Sequence, residues 1–263
     1  MSLRINTNVD AQAAHRYLTK TSDQVSKSME RLSSGLRINK AADDAAGLGI
    51  SEKMRSQIRG LAQSQRNIQD GVSMVQTAEG NLDEVQGILQ RVRELAVQYK
   101  NGSLSTAGKG AIQSEVDALS SEITRIQGAA QFNGIDLLSS TAAAVTFQVG
   151  ANDGQSISIT FAAVAVSSYA TLSTLALSTI DADVDKVSAA RAGFGAVQNR
   201  LEHALAVTGS YQENLTSAES RIRDVDMAEE MVNLTKNQIL QQAGTAMLAQ
   251  ANQAPQAVLQ LLR

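Results

Sequence analysis

Apolar residues recur at alternating spacings of three and four along most of the chain, a pattern typical of helices that pack side by side in coiled coils. Four segments carry it, at about 11–36, 58–89, 112–126 and 187–215. The predicted core seam runs in steps of seven and comprises Leu61, Ile68, Val75, Leu82 and Leu89, and later Val187, Phe194 and Leu201. The first segment offers a row of Ala11, Leu18, Val25 and Leu32, with a parallel row of Ser22, Met29 and Leu36. Long helices that bury one face are therefore expected.

Capping and turn residues mark where these helices begin and end. Asp43 or Asp44 is placed to cap a helix that runs to about Tyr99, and Asn101-Gly102 follows it as a terminator. Two further helices are predicted, over about 106–127 and 182–218.

In one region the spacing of apolar residues changes from the helical pattern to strict alternation. Apolar and polar residues alternate from Val145 to Phe161 around the turn sequence Asn152-Asp153-Gly154, which predicts a β-hairpin. Asn133-Gly134 predicts another turn just before it. The segment 167–179, rich in Ser, Thr, Ala and Leu, has no sharp period and is interpreted as an exposed connection.

The order of elements predicts a chain that goes out along one helix and returns along another, so that both helical termini lie at the same end. The expected fold class is mainly α, an antiparallel coiled-coil rod with a small β-hairpin region. Residues 1–36 and 220–263 are amphipathic, and an isolated amphipathic helix is only marginally stable. We expect both ends to order fully only against each other and against neighbouring copies. Repeated contacts that do not close produce an open helical filament.

The amino-acid composition limits the classes of function that the chain could have. The chain has one proline, no cysteine, no tryptophan and 3% aromatic residues, which suits long uninterrupted helices and excludes disulfides and thiolate metal sites. A net charge of -3 gives no reason to expect a nucleic-acid or membrane partner. No apolar run has the length of a signal peptide or a membrane span, so export by a signal-peptide route is not expected.

No set of residues suggests catalysis, a cofactor or a metal. His15 and His203 have no companion ligands at metal spacing, and Ser33-Ser34-Gly35 lacks the strand and helix that flank a nucleophile elbow. The acidic cluster Asp224, Asp226, Glu229 and Glu230 is best explained as favourable charge at a helix amino end, with contact to a neighbouring subunit as the alternative.

Long motifs resemble bacterial flagellins. In the amino-terminal half they are INTN at 5–8, RLSSGLRINKAADDAAGLGIS at 31–51, NIQDGVSMVQTAEGNLDEV at 67–85, QRVRELAVQ at 90–98 and FNGIDLL at 132–138. In the carboxyl half they are FGAVQNRLEHAL at 194–205 and the whole stretch from 213 to 263. The resemblance implies an inner terminal coiled-coil domain formed by residues 1–40 plus 220–263 and a helical core domain over 41–219. It also implies that the variable outer domains, which flagellins often insert near 140–182, are absent.

The resemblance further implies particular surfaces. Positions that touch Toll-like receptor 5 of a vertebrate host in similar flagellins are Gln90, Arg91, Leu95 and Glu115. Residues implied for inner-tube assembly, and for contact with the export chaperone or with inflammasome receptors, are Leu240, Met247, Val258, Leu259, Leu261 and Leu262.

The function implied is that of a secreted, self-assembling subunit of the extracellular flagellar filament, which acts as a propeller. Its partners would be further copies of itself, the export chaperone and export apparatus, and the filament cap and hook-junction proteins. A hook–filament junction protein and another secreted coiled-coil structural protein stay open as alternatives.

Overall fold

The computed structural model describes residues 7–138, 144–161, 164–167 and 169–261, with side chains described as far as residue 253. The described elements are, in chain order, α1 (Val9–Ser34), α2 (Ala45–Tyr99), α3 (Thr106–Ala129), β1 (Gln131–Phe132), β2 (Ile135–Asp136), β3 (Ala144–Gln148), β4 (Ser156–Thr160), α4 (Leu177–Arg223) and α5 (Met227–Leu261). The mainly α fold with a small β region is confirmed. Within the described residues, no helix is long and apolar enough to cross a membrane.

The helix ends follow the expected capping chemistry. Asp44 Oδ1 accepts a hydrogen bond from Gly47 N at 2.9 Å at the start of α2, and the helix ends at Tyr99 as predicted. Ser105 Oγ caps α3 in the same way through Gly108 N. Helix α4 extends five residues beyond the predicted limits at each end, from Leu177 rather than 182 and to Arg223 rather than 218.

The chain forms two compact units, Met1–Arg55 with Leu215–Arg263 and Ser56–Asn214. The predicted boundaries near 40 and 220 therefore fall inside the first unit. Within the first unit, two ion pairs join the start of α2 to the end of α4. Arg55 Nε lies 2.8 Å from Glu219 Oε1, and Arg223 Nη1 lies 2.6 Å from Glu52 Oε1.

In the first unit, α1 and α5 pack antiparallel. Asn8 Nδ2 donates to Ala251 O at 2.8 Å near one end, and Arg31 lies 3.6 Å from Glu230 near the other, so the described ends of α1 and α5 come together as predicted. The positions of α1 that are covered at alternating spacings of three and four are Ala11, Ala14, Leu18, Thr21, Val25, Ser28 and Leu32. The facing positions of α5 are Glu230, Leu234, Asn237, Gln241, Gly244, Leu248 and Ala251.

The second row predicted for α1 is only partly covered, because Ser22 and Leu36 are half-buried but Met29 is not. Met29 is 54% exposed, whereas Ser28, one residue earlier, is buried against α5. On each side of Leu18 and Val25 lies a row of residues at the same alternating spacing of three and four. Periodicity alone therefore does not decide which of the two rows faces the partner helix.

A short backbone pairing closes the first unit. Gly35 ends α1 with a φ of 72°, a left-handed conformation that favours glycine. Leu36 then forms an antiparallel bridge with Asp224, flanked by hydrogen bonds from Val225 N to Gly35 O and from Arg37 N to Arg223 O. Ser33-Ser34-Gly35 is thus a helix end and bend, as its sequence context indicates.

In the second unit, α2 runs antiparallel to both α3 and α4. Arg91 pairs with Glu115 of α3 at 2.9 Å, and Arg191 of α4 pairs with Asp83 at 2.8 Å. Every residue of the predicted core seam is buried: Leu61, Ile68, Val75, Leu82, Leu89, Val187, Phe194 and Leu201.

The two predicted turns join short antiparallel strands. Asn133 and Gly134 have φ values of 50° and 78° and connect β1 to β2, as a type I′ turn requires. In the β3–β4 hairpin, Phe147 pairs with Ile157 and Val145 with Ile159 on the inward face, while Thr146 and Ser158 are exposed.

The segment 167–179 is not the exposed connection that its composition suggested. Tyr169 and Leu172 are fully buried. Tyr169 Oη donates to Asp183 Oδ2 at 2.8 Å, and Ser167 N donates to the same oxygen at 2.8 Å. Burial and the neighbouring Asp183 carboxylate raise the pKa of Tyr169. Burial works against ionisation of Asp183, but hydrogen bonds from Lys186, Ser167 and Tyr169 outweigh it and lower the pKa of that carboxyl.

Candidate assembly and recognition surfaces

Helix α5 carries an apolar stripe that nothing in the described chain covers. Val232 and Ile239 are 68% and 60% exposed, and Ala246, seven residues further, is exposed as well. At about 100° per residue, these positions lie on the side of α5 turned away from the residues that contact α1. The helix therefore has two rows at heptad spacing, one filled by α1 and one open.

The two residues implied for the inner tube whose side chains are described lie on a flank of α5, about 80–100° around the helix from the open stripe and between it and the residues that contact α1. Leu240 and Met247 are 48% and 65% exposed and lie seven residues apart. Val258, Leu259 and Leu261 lie where side chains are not described, and Leu262 lies outside the described residues. Of the small residues along α5, Ala243, Ala246 and Ala249 are exposed, whereas Ala251 is partly covered by α1.

The acidic cluster opens α5. Asp226 Oδ1 accepts hydrogen bonds from Ala228 N and Glu229 N, which makes Asp226 the amino-terminal cap. Glu229 and Glu230 occupy the first turn, where carboxylates are stabilised by the helix dipole. Glu230 is also buried beside Arg31. The helix-end interpretation accounts for these three residues.

Three of the four residues implied for receptor contact form an exposed patch. Gln90, Arg91 and Glu115 are exposed. The guanidinium of Arg91 donates to Glu115 and to Glu94, and these hydrogen bonds raise the pKa of Arg91. The salt bridges are solvent-exposed, so their contribution to stability is small.

Leu95 does not belong to this surface. Its side chain is 2% exposed and lies in the core with Val92, so it is not available for direct contact in this conformation. Helix α2 buries Val92 and Leu95 in addition to its seven-spaced seam.

No metal-binding cluster of three or more His, Cys, Asp or Glu side chains occurs in the part of the chain that the structure describes. His15 and His203 are both exposed on helices.

Comparisons with known proteins identify the family. The model of the bacterial flagellin N-terminal helical region matches residues 5–143, and that of the C-terminal helical region matches residues 177–262. A flagellin of Halalkalibacterium halodurans is 52% identical over 98% of this chain and 99% of its own length. The chain belongs to the flagellin family.

Further similarities agree with this flagellin assignment. The flagellar filament 33 kDa core protein of Treponema phagedenis is 49% identical over 98% of this chain and 99% of its own. The crystal structure of Bacillus cereus flagellin resembles this fold with a TM-score of 0.50 and 27% sequence identity. The match covers 54% of this chain and 88% of the Bacillus cereus chain. This flagellin is a short one, because only residues 144–176 separate the two matched regions. It is a structural subunit of the flagellar filament, which decides against the junction-protein alternative.

Sequence reasoning missed two features. The stripe of Val232 and Ile239 is visible in the sequence as a second seven-residue spacing on α5. The buried pair of Tyr169 and Asp183 has no such signal, since it joins a segment without periodicity to a helix.

Proposed function

We propose that this flagellin assembles through the first unit, with the open stripe of α5 packing against a neighbouring subunit. The terminal helices, in residues 1–40 and 220–263, would form an inner tube, and the core domain, in residues 41–219, would form the surrounding wall. The observation that carries the proposal is the row of Val232, Ile239 and Ala246, which is apolar, regularly spaced and exposed.

Physical reasons favour assembly through this stripe. Exposed apolar side chains at helical spacing gain free energy when another helix covers them, at about 25 cal/mol per Å² of apolar surface removed from water. The contact between α1 and α5 includes Thr21, Ser28, Asn237 and Gln241, so the pair buries little apolar surface by itself. Contact with neighbours therefore supplies stabilisation that the isolated pair lacks.

Hydrogen exchange on free subunits and on seeded filaments tests this proposal. We expect amides of α1 and α5 to exchange much faster in the free subunit than in the filament, because both helices gain cover on assembly. Amides of α2 near the buried Leu82 and Leu89 serve as the internal reference and should be protected in both states. Equal protection of α5 in the two states, or purified subunits that do not extend seeds, would contradict it.

We propose that the subunit acts outside the cell, as part of a propeller, and has no catalytic role. It would leave through the flagellum-specific export apparatus after binding a chaperone at its carboxyl end, and would then fold beneath the filament cap on a hook-junction protein. The lack of cysteine suits a chain that passes unfolded through a narrow channel, because a disulfide would obstruct its passage. Val258, Leu259, Leu261 and Leu262 would serve the chaperone before assembly, and the three leucines would also serve inflammasome receptors in a host.

Host recognition by Toll-like receptor 5 is proposed for Gln90, Arg91 and Glu115, with Leu95 supporting the patch from the core. Arg91→Ala should weaken the response in a receptor reporter assay about tenfold, because a central interface arginine typically contributes 1 to 2 kcal/mol or more, with about 1.4 kcal/mol per tenfold. Arg125→Ala is the matched control, since Arg125 is an exposed arginine of α3 paired with Glu122. An unchanged response to the Arg91 variant would remove the proposal.

A further inference from the structure

The chain contains two Asn-Gly pairs, Asn101-Gly102 and Asn133-Gly134, and all four residues are exposed. An asparagine followed by glycine is prone to lose its side-chain amide, because the missing Cβ lets the glycine backbone nitrogen approach the asparagine Cγ. The two pairs have the same chemistry and differ only in their structural surroundings.

Asn133 is held in a conformation that opposes this reaction. It occupies the left-handed first position of the turn between β1 and β2, with a φ of 50°. Phe132 pairs with Ile135 next to the turn, and Leu137 N donates to Ala130 O at 2.9 Å beyond it. Closing the five-membered ring requires rotation about ψ of Asn133, which would break the turn and the pairing of both strands.

Asn101 lies in the connection between α2 and α3, outside any helix or strand, and the turn that follows it is spanned by a long hydrogen bond of 3.5 Å from Leu104 N to Asn101 O. Ser103 N donates a hydrogen bond to Asn101 Oδ1 at 3.2 Å. This donor withdraws electrons from Cγ and stabilises the negative charge that forms on Oδ1 when Cγ is attacked. Among the hydrogen bonds of the described residues, none engages the Gly102 N–H.

We propose that Asn101 is a site of spontaneous deamidation in the folded subunit and that Asn133 is spared. The Gly102 nitrogen gives up its proton to solvent base and forms a bond to Cγ. The bond from Cγ to Nδ2 then breaks and ammonia leaves. Water opens the resulting succinimide at either carbonyl to give aspartate or isoaspartate. One water is consumed for each ammonia released, and nothing is oxidised or reduced.

Conversion of Asn101 to aspartate or isoaspartate changes the end of α2. A carboxylate replaces a neutral amide two residues after Tyr99, where the last carbonyls of the helix already present partial negative charge. Isoaspartate also lengthens the main chain between α2 and α3 by one carbon, close to the contact of Lys109 with the Tyr99 ring. A long-lived filament would accumulate subunits with a loosened end of α2.

Mass spectrometry of the purified full-length chain tests the proposal. Folded and urea-unfolded samples are incubated at mildly alkaline pH, and conversion is measured in peptides that contain each asparagine. In the folded sample Asn101 should convert several-fold faster than Asn133, and in urea the two rates should converge. Equal rates in the folded sample, faster conversion of Asn133, or the same difference in urea would overturn it.

The variant Ser103→Pro isolates the hydrogen bond, because proline has no N–H to donate to Asn101 Oδ1. Conversion of Asn101 in the folded variant should slow several-fold, and an unchanged rate would overturn the role given to Ser103. Continued protection of Asn133 and an unaltered circular dichroism spectrum show that the variant is folded.

Discussion

Replacing Ile239 with glutamate is expected to abolish filament elongation while leaving the free subunit folded. Ile239 is exposed on the side of α5 away from α1, so in the subunit the change is a surface substitution worth within about 0.5 kcal/mol. In the polymer the carboxylate would be covered without a partner. Burying an unpaired charge costs about 3 kcal/mol or more, which weakens a contact at least about a hundredfold. Seeded elongation followed by light scattering and electron microscopy measures the effect.

Two variants separate the role of this position from general effects of charge. Gln238→Glu adds the same charge one residue earlier, about 100° around the helix, and should extend seeds nearly normally. Ile239→Leu keeps an apolar side chain and should do the same. Elongation of Ile239→Glu at the wild-type rate would show that the open stripe of α5 is not an assembly surface.

Periodicity predicted the core of the second unit well because the pattern is long and allows one arrangement. The row from Leu61 to Leu89 stays apolar at steps of seven, which fits a helix with one buried face. The same holds for Val187, Phe194 and Leu201 in α4. Capping chemistry was equally local, so Asp44 and the end of α2 at Tyr99 could be placed from sequence.

Features that depend on packing against another part of the chain could not be predicted from periodicity or capping residues. Ser28 rather than Met29 faces α5, although methionine is the more apolar of the two. Leu95 was assigned to a surface by resemblance, but α2 buries it together with Val92. Tyr169 is an isolated aromatic residue in a Ser- and Thr-rich segment. Its burial depends on Asp183, which lies on a different element and is itself polar, so no apolar pattern marks the contact.

Replacing Asp183 with alanine is expected to destabilise the second unit by about 2 to 4 kcal/mol. The buried carboxylate accepts hydrogen bonds from Tyr169 Oη and Ser167 N; the buried Tyr169 hydroxyl would be left unsatisfied inside the protein, and the half-buried Ser167 N would lose its partner. Lys186 is half exposed and keeps access to water, so the loss stays below that of a fully buried ion pair. Chemical denaturation followed by circular dichroism measures the free energy of unfolding. Asp185→Ala, which removes an exposed carboxylate two residues away, should change it by about 0.5 kcal/mol or less.

The same contact predicts how stability depends on pH. Asp183 has a folded pKa below its unfolded value, so its contribution is fully present above the unfolded pKa and is lost as the pH falls through the folded pKa. Tyr169 has a folded pKa above its unfolded value, so its contribution is present below the unfolded pKa and is lost as the pH rises toward the folded one. The difference in unfolding free energy between wild type and Asp183→Ala should therefore be largest near neutral pH and shrink in acid. A difference that stays constant from neutral to strongly acidic pH would show that the charge on Asp183 does not stabilise the buried contact with Tyr169 and Ser167.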